Sequence, residues 1–75
     1  DDPILLRVTV NNQVLYEDEI VTMSRIETIV RNTLANSDVP VIMQVERGAL
    51  AGTMVQVMDR AKIGGADKIS VTAIN

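Results

Sequence analysis

From Val41 to Ala73 the chain reads VIMQVERGALAGTMVQVMDRAKIGGADKISVTA, and this stretch decides the fold. Val41, Met43 and Val45 alternate with Ile42, Gln44 and Glu46, the period of two that a strand shows when one side faces a core. Beyond Glu46-Arg47 the period changes. Leu50, Met54, Val57, Met58 and Ala61 recur at three and four and mark one face of a helix running from about Leu50 to Ile63. Gly64-Gly65 offers a positive-φ stop, and Lys68 to Ile74 forms the closing strand.

Working outward from this unit, Val39 precedes Pro40 and is held extended on the way into the strand. Upstream, Met23, Ile26, Val30 and Leu34 form a second helical stripe, with Arg25, Glu27, Arg31 and Asn32 on the wet side. Thr22 can cap this helix, and Ser24 with Glu27 offers an alternative capping box. Asn36, Ser37 and Asp38 end it. Before the helix, Ile4, Leu6, Val8 and Val10 alternate with Leu5, Arg7 and Thr9 as a first strand. Asn11-Asn12 turns the chain into a short second strand from Gln13 to Tyr16, because asparagine tolerates left-handed backbone angles.

The order strand, strand, helix, strand, helix, strand predicts an α+β, two-layer domain: a ββαβαβ chain with a four-stranded mixed sheet and both helices on one face. Right-handed crossovers make strands two and three parallel, and strands three and four parallel. The simplest sheet then runs two, one, three, four, with the closing strand at an edge. Leu5, Arg7, Thr9, Gln44, Glu46, Ser70 and Thr72 fall on the open face, a mixed surface that one-sided packing expects.

With 75 residues there is room for one domain, residues 1–75, with a small core. The chain is 47% hydrophobic, yet Tyr16 is its one aromatic residue, so the core is aliphatic. A net charge of −3 and a pI near 4.6 argue against nucleic acid, which calls for clustered cations and stacking aromatics. The sequence holds no cysteine, which excludes disulfides and thiolate metal sites and is silent on compartment. No apolar run approaches the roughly 18 to 20 residues that cross a bilayer. The first residue is Asp1 rather than Met, which reads as a fragment excised from a longer parent.

Histidine is absent as well. Ser24, Ser37 and Ser70 have no candidate base, so neither a catalytic triad nor a usual zinc site can be assembled. The chain therefore reads as a non-enzyme without catalytic, cofactor or metal residues. Glu17, Asp18 and Glu19 read as a solvated acidic turn rather than an acid/base pair. Gly64-Gly65 follows a helix instead of preceding one, so it reads as a C-cap and not an anion nest. Met23, Met43, Met54 and Met58 lie on core stripes.

The same stretch resembles the C-terminal half of the periplasmic domain of the ExbD/TolR family. In that family an apolar strand ends in an acidic and a basic residue, here Glu46-Arg47. A helix with Val-Met-Asp follows, here Val57-Met58-Asp59, then a small residue with glycine, here Gly64-Gly65, and a closing strand, here Ile69 to Thr72. The N-terminal half is similar too, in its strand, Asn turn, short strand with Tyr16, and Thr- or Ser-capped helix. Ala51 departs from the pattern, standing where many members carry an aromatic.

The resemblance, ExbD-like more than TolR-like, implies a bacterial inner-membrane protein whose periplasmic domain this is. It would work as a homodimer in an ExbB/TolQ-like membrane ring, with proton motive force driving transfer of force to a TonB-like or TolA-like partner. The proton-responsive Asp of its membrane helix corresponds to no residue here. The expected partner-binding edge, for an extended partner segment or the same edge of a second copy, is the closing strand: Lys68, Ile69, Ser70, Val71, Thr72, Ala73 and Ile74. Its alternative is an edge merely protected by Lys68 and the chain end. Other readings are a TolR-like role in envelope maintenance and a small-molecule-binding regulatory domain, since two helices on a four-stranded sheet also serve amino-acid-binding modules.

Overall fold

The first alternating run becomes β1 (Ile4–Val8), with Ile4, Leu6 and Val8 buried and Leu5 and Arg7 facing out. It opens a computed structural model that describes residues 2–75; residue 1 of the domain expected over 1–75 lies outside the described residues. The further elements are β2 (Val14–Tyr16), β3 (Glu19–Val21), α1 (Met23–Leu34), β4 (Val41–Glu46), α2 (Ala51–Ile63) and β5 (Ile69–Ile74). The domain is α+β, with two helices and one mixed sheet ordered β3-β2-β1-β4-β5 among the described residues. The sheet has five strands where the sequence suggests four.

The additional strand is β3, hydrogen-bonded antiparallel to β2 with Tyr16 opposite Glu19. Glu17 and Asp18 form the two-residue turn between them, both in the left-handed region at φ 50° and 66°. Positive φ at both positions is the type I′ hairpin turn, usually signalled by Asn-Gly. Only the first two members of the expected acidic loop are therefore loop; Glu19 begins a strand. This also corrects a strand direction. Because β2 is antiparallel to β1 and β1 is parallel to β4, β2 runs opposite to β4, and β3 is the strand that runs with it before α1 crosses over.

β1 stops at Val8 rather than Val10. Thr9 turns inward instead of joining the open face, and its hydroxyl accepts the Gln13 N–H at 3.1 Å. Val10 is exposed rather than core, and its N–H donates to the Glu46 carboxylate at 2.9 Å. The Asn12 N–H donates to Thr9 O and the Thr9 N–H to Gln13 O, closing a three-residue loop that ends in left-handed Asn12, at φ 63°. The Asn12 side chain then reaches α2: its Oδ1 accepts from Leu50 N and Thr53 Oγ1, both at 3.1 Å. Leu50, the residue at the helix start, supplies no side-chain cap of its own, so Asn12 satisfies a free helix N–H from across the fold.

Thr22 caps α1 by accepting the Arg25 N–H at 3.1 Å, and Ser24 lies inside the helix. Ile26, Ile29 and Val30 are its buried residues, while Met23 and Leu34, expected on the same stripe, are partly covered. From α2, Val57 and Ala61 are buried, Met54 and Met58 pack against the core partly exposed, and Leu50 is exposed, since it precedes the helix. These side chains and the inner rows of β1 and β4 make one cluster with Leu6, Met43 and Val41 fully enclosed.

Two carboxylates tie the elements together and predict how stability depends on pH. Glu46 accepts from Val10 N and from Arg7 Nε at 3.0 Å, and the backbone bond, followed by the guanidinium, holds its carboxyl below the usual value of 4.5. Glu27 pairs with Arg31 one turn on and reaches Arg60 of α2 at 3.5 Å, which lowers its pKa too, the Arg31 hydrogen bond most of all. A folded-state pKa below the unfolded one contributes stability that is fully present above the unfolded value and is lost as pH falls through the folded value. Denaturation midpoints are therefore expected to hold between pH 7 and pH 6 and to fall on acidification below about pH 4.5. Glu46→Gln is expected to lower the neutral-pH midpoint and flatten that fall; an unchanged slope would contradict the assignment.

Candidate functional site

β5 is built from ISVTAI, six residues without charge, proline or glycine, and four of them, Ile69, Val71, Thr72 and Ile74, have high strand propensity. It pairs parallel with β4 from Val41 opposite Ile69 to Glu46 opposite Ile74. Among the described residues no further strand follows it in the sheet. The ladder is bracketed by Val41 N to Lys68 O at 2.8 Å and Arg47 N to Ile74 O at 3.1 Å. In a parallel pair alternate residues exchange their backbone bonds with the neighbour. Lys68, Ser70, Thr72 and Ile74 thus turn theirs toward β4, and the N–H and C=O groups of Ile69, Val71 and Ala73 point off the edge.

Side-chain cover is as sparse as backbone cover. Val71 lies opposite Met43, yet Met43 is 0% exposed and Val71 is 46% exposed, so the helical layer stops short of β5 on its own face. Ser70 and Thr72, opposite Ile42 and Gln44, are exposed on the other face. Ile69 still packs against the core, and from Ser70 to Ala73 β5 is exposed on both faces and along its outer edge. The opposite edge differs: β3 has three residues and opens with exposed Glu19, and short, charged edge strands resist pairing.

Of the seven residues singled out in the sequence, Ile69 to Ile74 make up this strand, and Lys68 stands just before it. The Lys68 ammonium turns back to Asp38 Oδ2 at 3.3 Å, in the connection that enters β4. Lys68 thus stands at the entry of the strand in an exposed ion pair, and the residues from Ile69 to Ile74 carry no charge of their own. Arg47 and Glu46, marked in the sequence as a strand exit, separate in role. Glu46 joins the ends of β1 and β4, as above, and Arg47 is exposed in the turn to α2.

Among the described residues no group of three or more acidic side chains is placed to hold a metal ion, and no helix is long and apolar enough to cross a membrane. A half-open groove of about 590 Å³ lies elsewhere, beside the start of β1 and the β2–β3 turn, with Gln44 of the open sheet face and Thr33 of α1 both in its lining. Nothing in the sequence pattern announces it, because it depends on the β3 hairpin. No protein-family model matches the chain, and no characterised protein matches it either.

Proposed function

We propose that this chain is a partner-docking module, the periplasmic domain of an ExbD/TolR-type energy-transduction complex of a bacterial inner membrane. In this reading it is a non-enzymatic homodimer within an ExbB/TolQ-like ring, and it passes force, driven by the proton gradient, to a TonB-like protein. The resemblance over Val41 to Ala73 supports the family. One observation carries the docking role: the uncharged β5 edge with the outward N–H and C=O groups of Ile69, Val71 and Ala73. An extended segment of a partner adds there through main-chain hydrogen bonds, with the alternate side chains Ser70 and Thr72 reading its sequence.

Val71→Pro tests the docking directly. The Val71 N–H is not used by the β4 ladder, so proline removes an outward donor and places its ring on the free edge while keeping the inward bonds. Affinity for peptides tiled across the periplasmic region of a TonB-like protein from the same cell is expected to fall at least about tenfold, equivalent to ~1.4 kcal/mol. Circular dichroism is expected to show the parent fold. Val71→Lys, which blocks the edge without touching the backbone, is expected to act alike. Parental affinity in both folded variants would overturn the proposal.

A further inference from the structure

The half-open groove beside the start of β1 has an apolar base and an acidic rim, with Thr33 of α1 and Gln44 of β4 also lining it. Leu5, 46% exposed, and partly covered Leu15 line its base, with Pro3 beside them. Asp2 stands on one side and the Glu17-Asp18 turn on the other. Among the described residues the only cation lining it is Arg7, and Arg7 is already engaged: its NH2 group lies 2.9 Å from Glu46 Oε2 and its Nε donates to the same carboxylate. The rim thus keeps a net negative field over an exposed aliphatic floor.

That combination selects an occupant. An anionic surface or an acidic segment is repelled by three carboxylates, and a purely polar cation leaves Leu5 and Leu15 in water. The groove is also only half enclosed, whereas small-molecule sites enclose most of their ligand. We infer that the groove docks an extended basic peptide segment of a partner protein, with one aliphatic side chain on Leu5 and Leu15 and flanking lysine or arginine residues at Asp2 and Glu17-Asp18. The groove reaches the open sheet face at Gln44, beside Thr72, but no residue of β5 lines it, so the site stands whether or not that edge binds a strand.

The turn provides a clean test. Glu17 and Asp18 both occupy left-handed positions that asparagine and glycine adopt with less strain, so Glu17→Asn with Asp18→Gly removes two charges and suits the hairpin better. The probe is a capped Lys-Leu-Lys-Leu-Lys peptide titrated into isotope-labelled domain. Amide shifts are expected to be largest at Leu5, Leu15, Glu17 and Asp18, and smaller along Ile69 to Ala73. Capped Lys-Ser-Lys-Ser-Lys and Glu-Leu-Glu-Leu-Glu peptides are expected to bind about tenfold more weakly or not at all. The double variant is expected to melt no lower than the parent and to bind the first peptide about twofold to thirtyfold more weakly, the range for losing two exposed ion pairs. Equal affinity in the double variant, equal binding of the serine peptide, shifts confined to another surface, or no binding at millimolar peptide would each overturn the inference.

Discussion

Leu6→Ala is expected to destabilise the domain by about 2–5 kcal/mol, the range for truncating a buried leucine. Leu6 is 0% exposed at the middle of β1, and β1 is itself the middle strand of the sheet, flanked by β2 and β4. The cluster around it draws on both the sheet and the helices and cannot simply close the gap, because β1 is paired with β4 along its whole length and with β2 from Arg7. A small domain has a total stability of only about 5–15 kcal/mol, so the loss takes a large share of it. Met58, which the helical stripe puts in the core, is partly exposed, so Met58→Ala is expected to lose less than Leu6→Ala. Chemical denaturation of both variants checks the order; a Met58 effect as large as that of Leu6 would contradict the packing.

Gly64→Ala is the second large effect, and it arises from overcrowding. Gly64 ends α2 at φ −71°, a conformation that alanine adopts freely, so the backbone itself raises no objection. A Cβ at Gly64 would lie 2.8 Å from Glu27 O and 2.9 Å from Val30 Cβ, both on α1. Neither atom is the loose end of a side chain; one is helix backbone and the other belongs to a fully buried valine. Relief requires the two helices to part, which also strains the Glu27–Arg60 pair between them. We expect a loss of about 1–3 kcal/mol by denaturant titration. At Gly52 an added Cβ meets nothing within 4 Å, so Gly52→Ala is expected to be neutral or stabilising. Equal behaviour of the two glycine variants would contradict the close helix approach.

The parts of this fold legible in the sequence are those whose signal is local. β1 and β4 show alternation, and Thr22 sits at the right place to cap α1. At the end of α2 the two glycines have separate roles, since Gly65, at φ 112°, makes the left-handed turn and Gly64 allows the close approach of the helices. β3 is not legible, because three residues give no periodicity and Glu17-Asp18 lack the asparagine and glycine that usually mark a two-residue hairpin turn. Likewise the retreat of β1 from Val10 depends on Glu46, and the cap of α2 depends on Asn12, 38 residues before Leu50. Such long-range bonds leave no pattern in a window of sequence.

The candidate edge divides the same way. That Lys68 to Ile74 closes the sheet follows from the order of elements. That the helices leave Val71 bare, and that Lys68 is drawn to Asp38, are consequences of three-dimensional placement. The most direct measurement of the docking claim is amide hydrogen exchange, residue by residue, with and without the periplasmic segment of a TonB-like partner. Pairing at the edge predicts that the exposed amides of Ile69, Val71 and Ala73 become protected, while those of Ser70 and Thr72, already bonded to β4, change little. Protection confined to α1, α2 or β3, or none at millimolar partner, would contradict it.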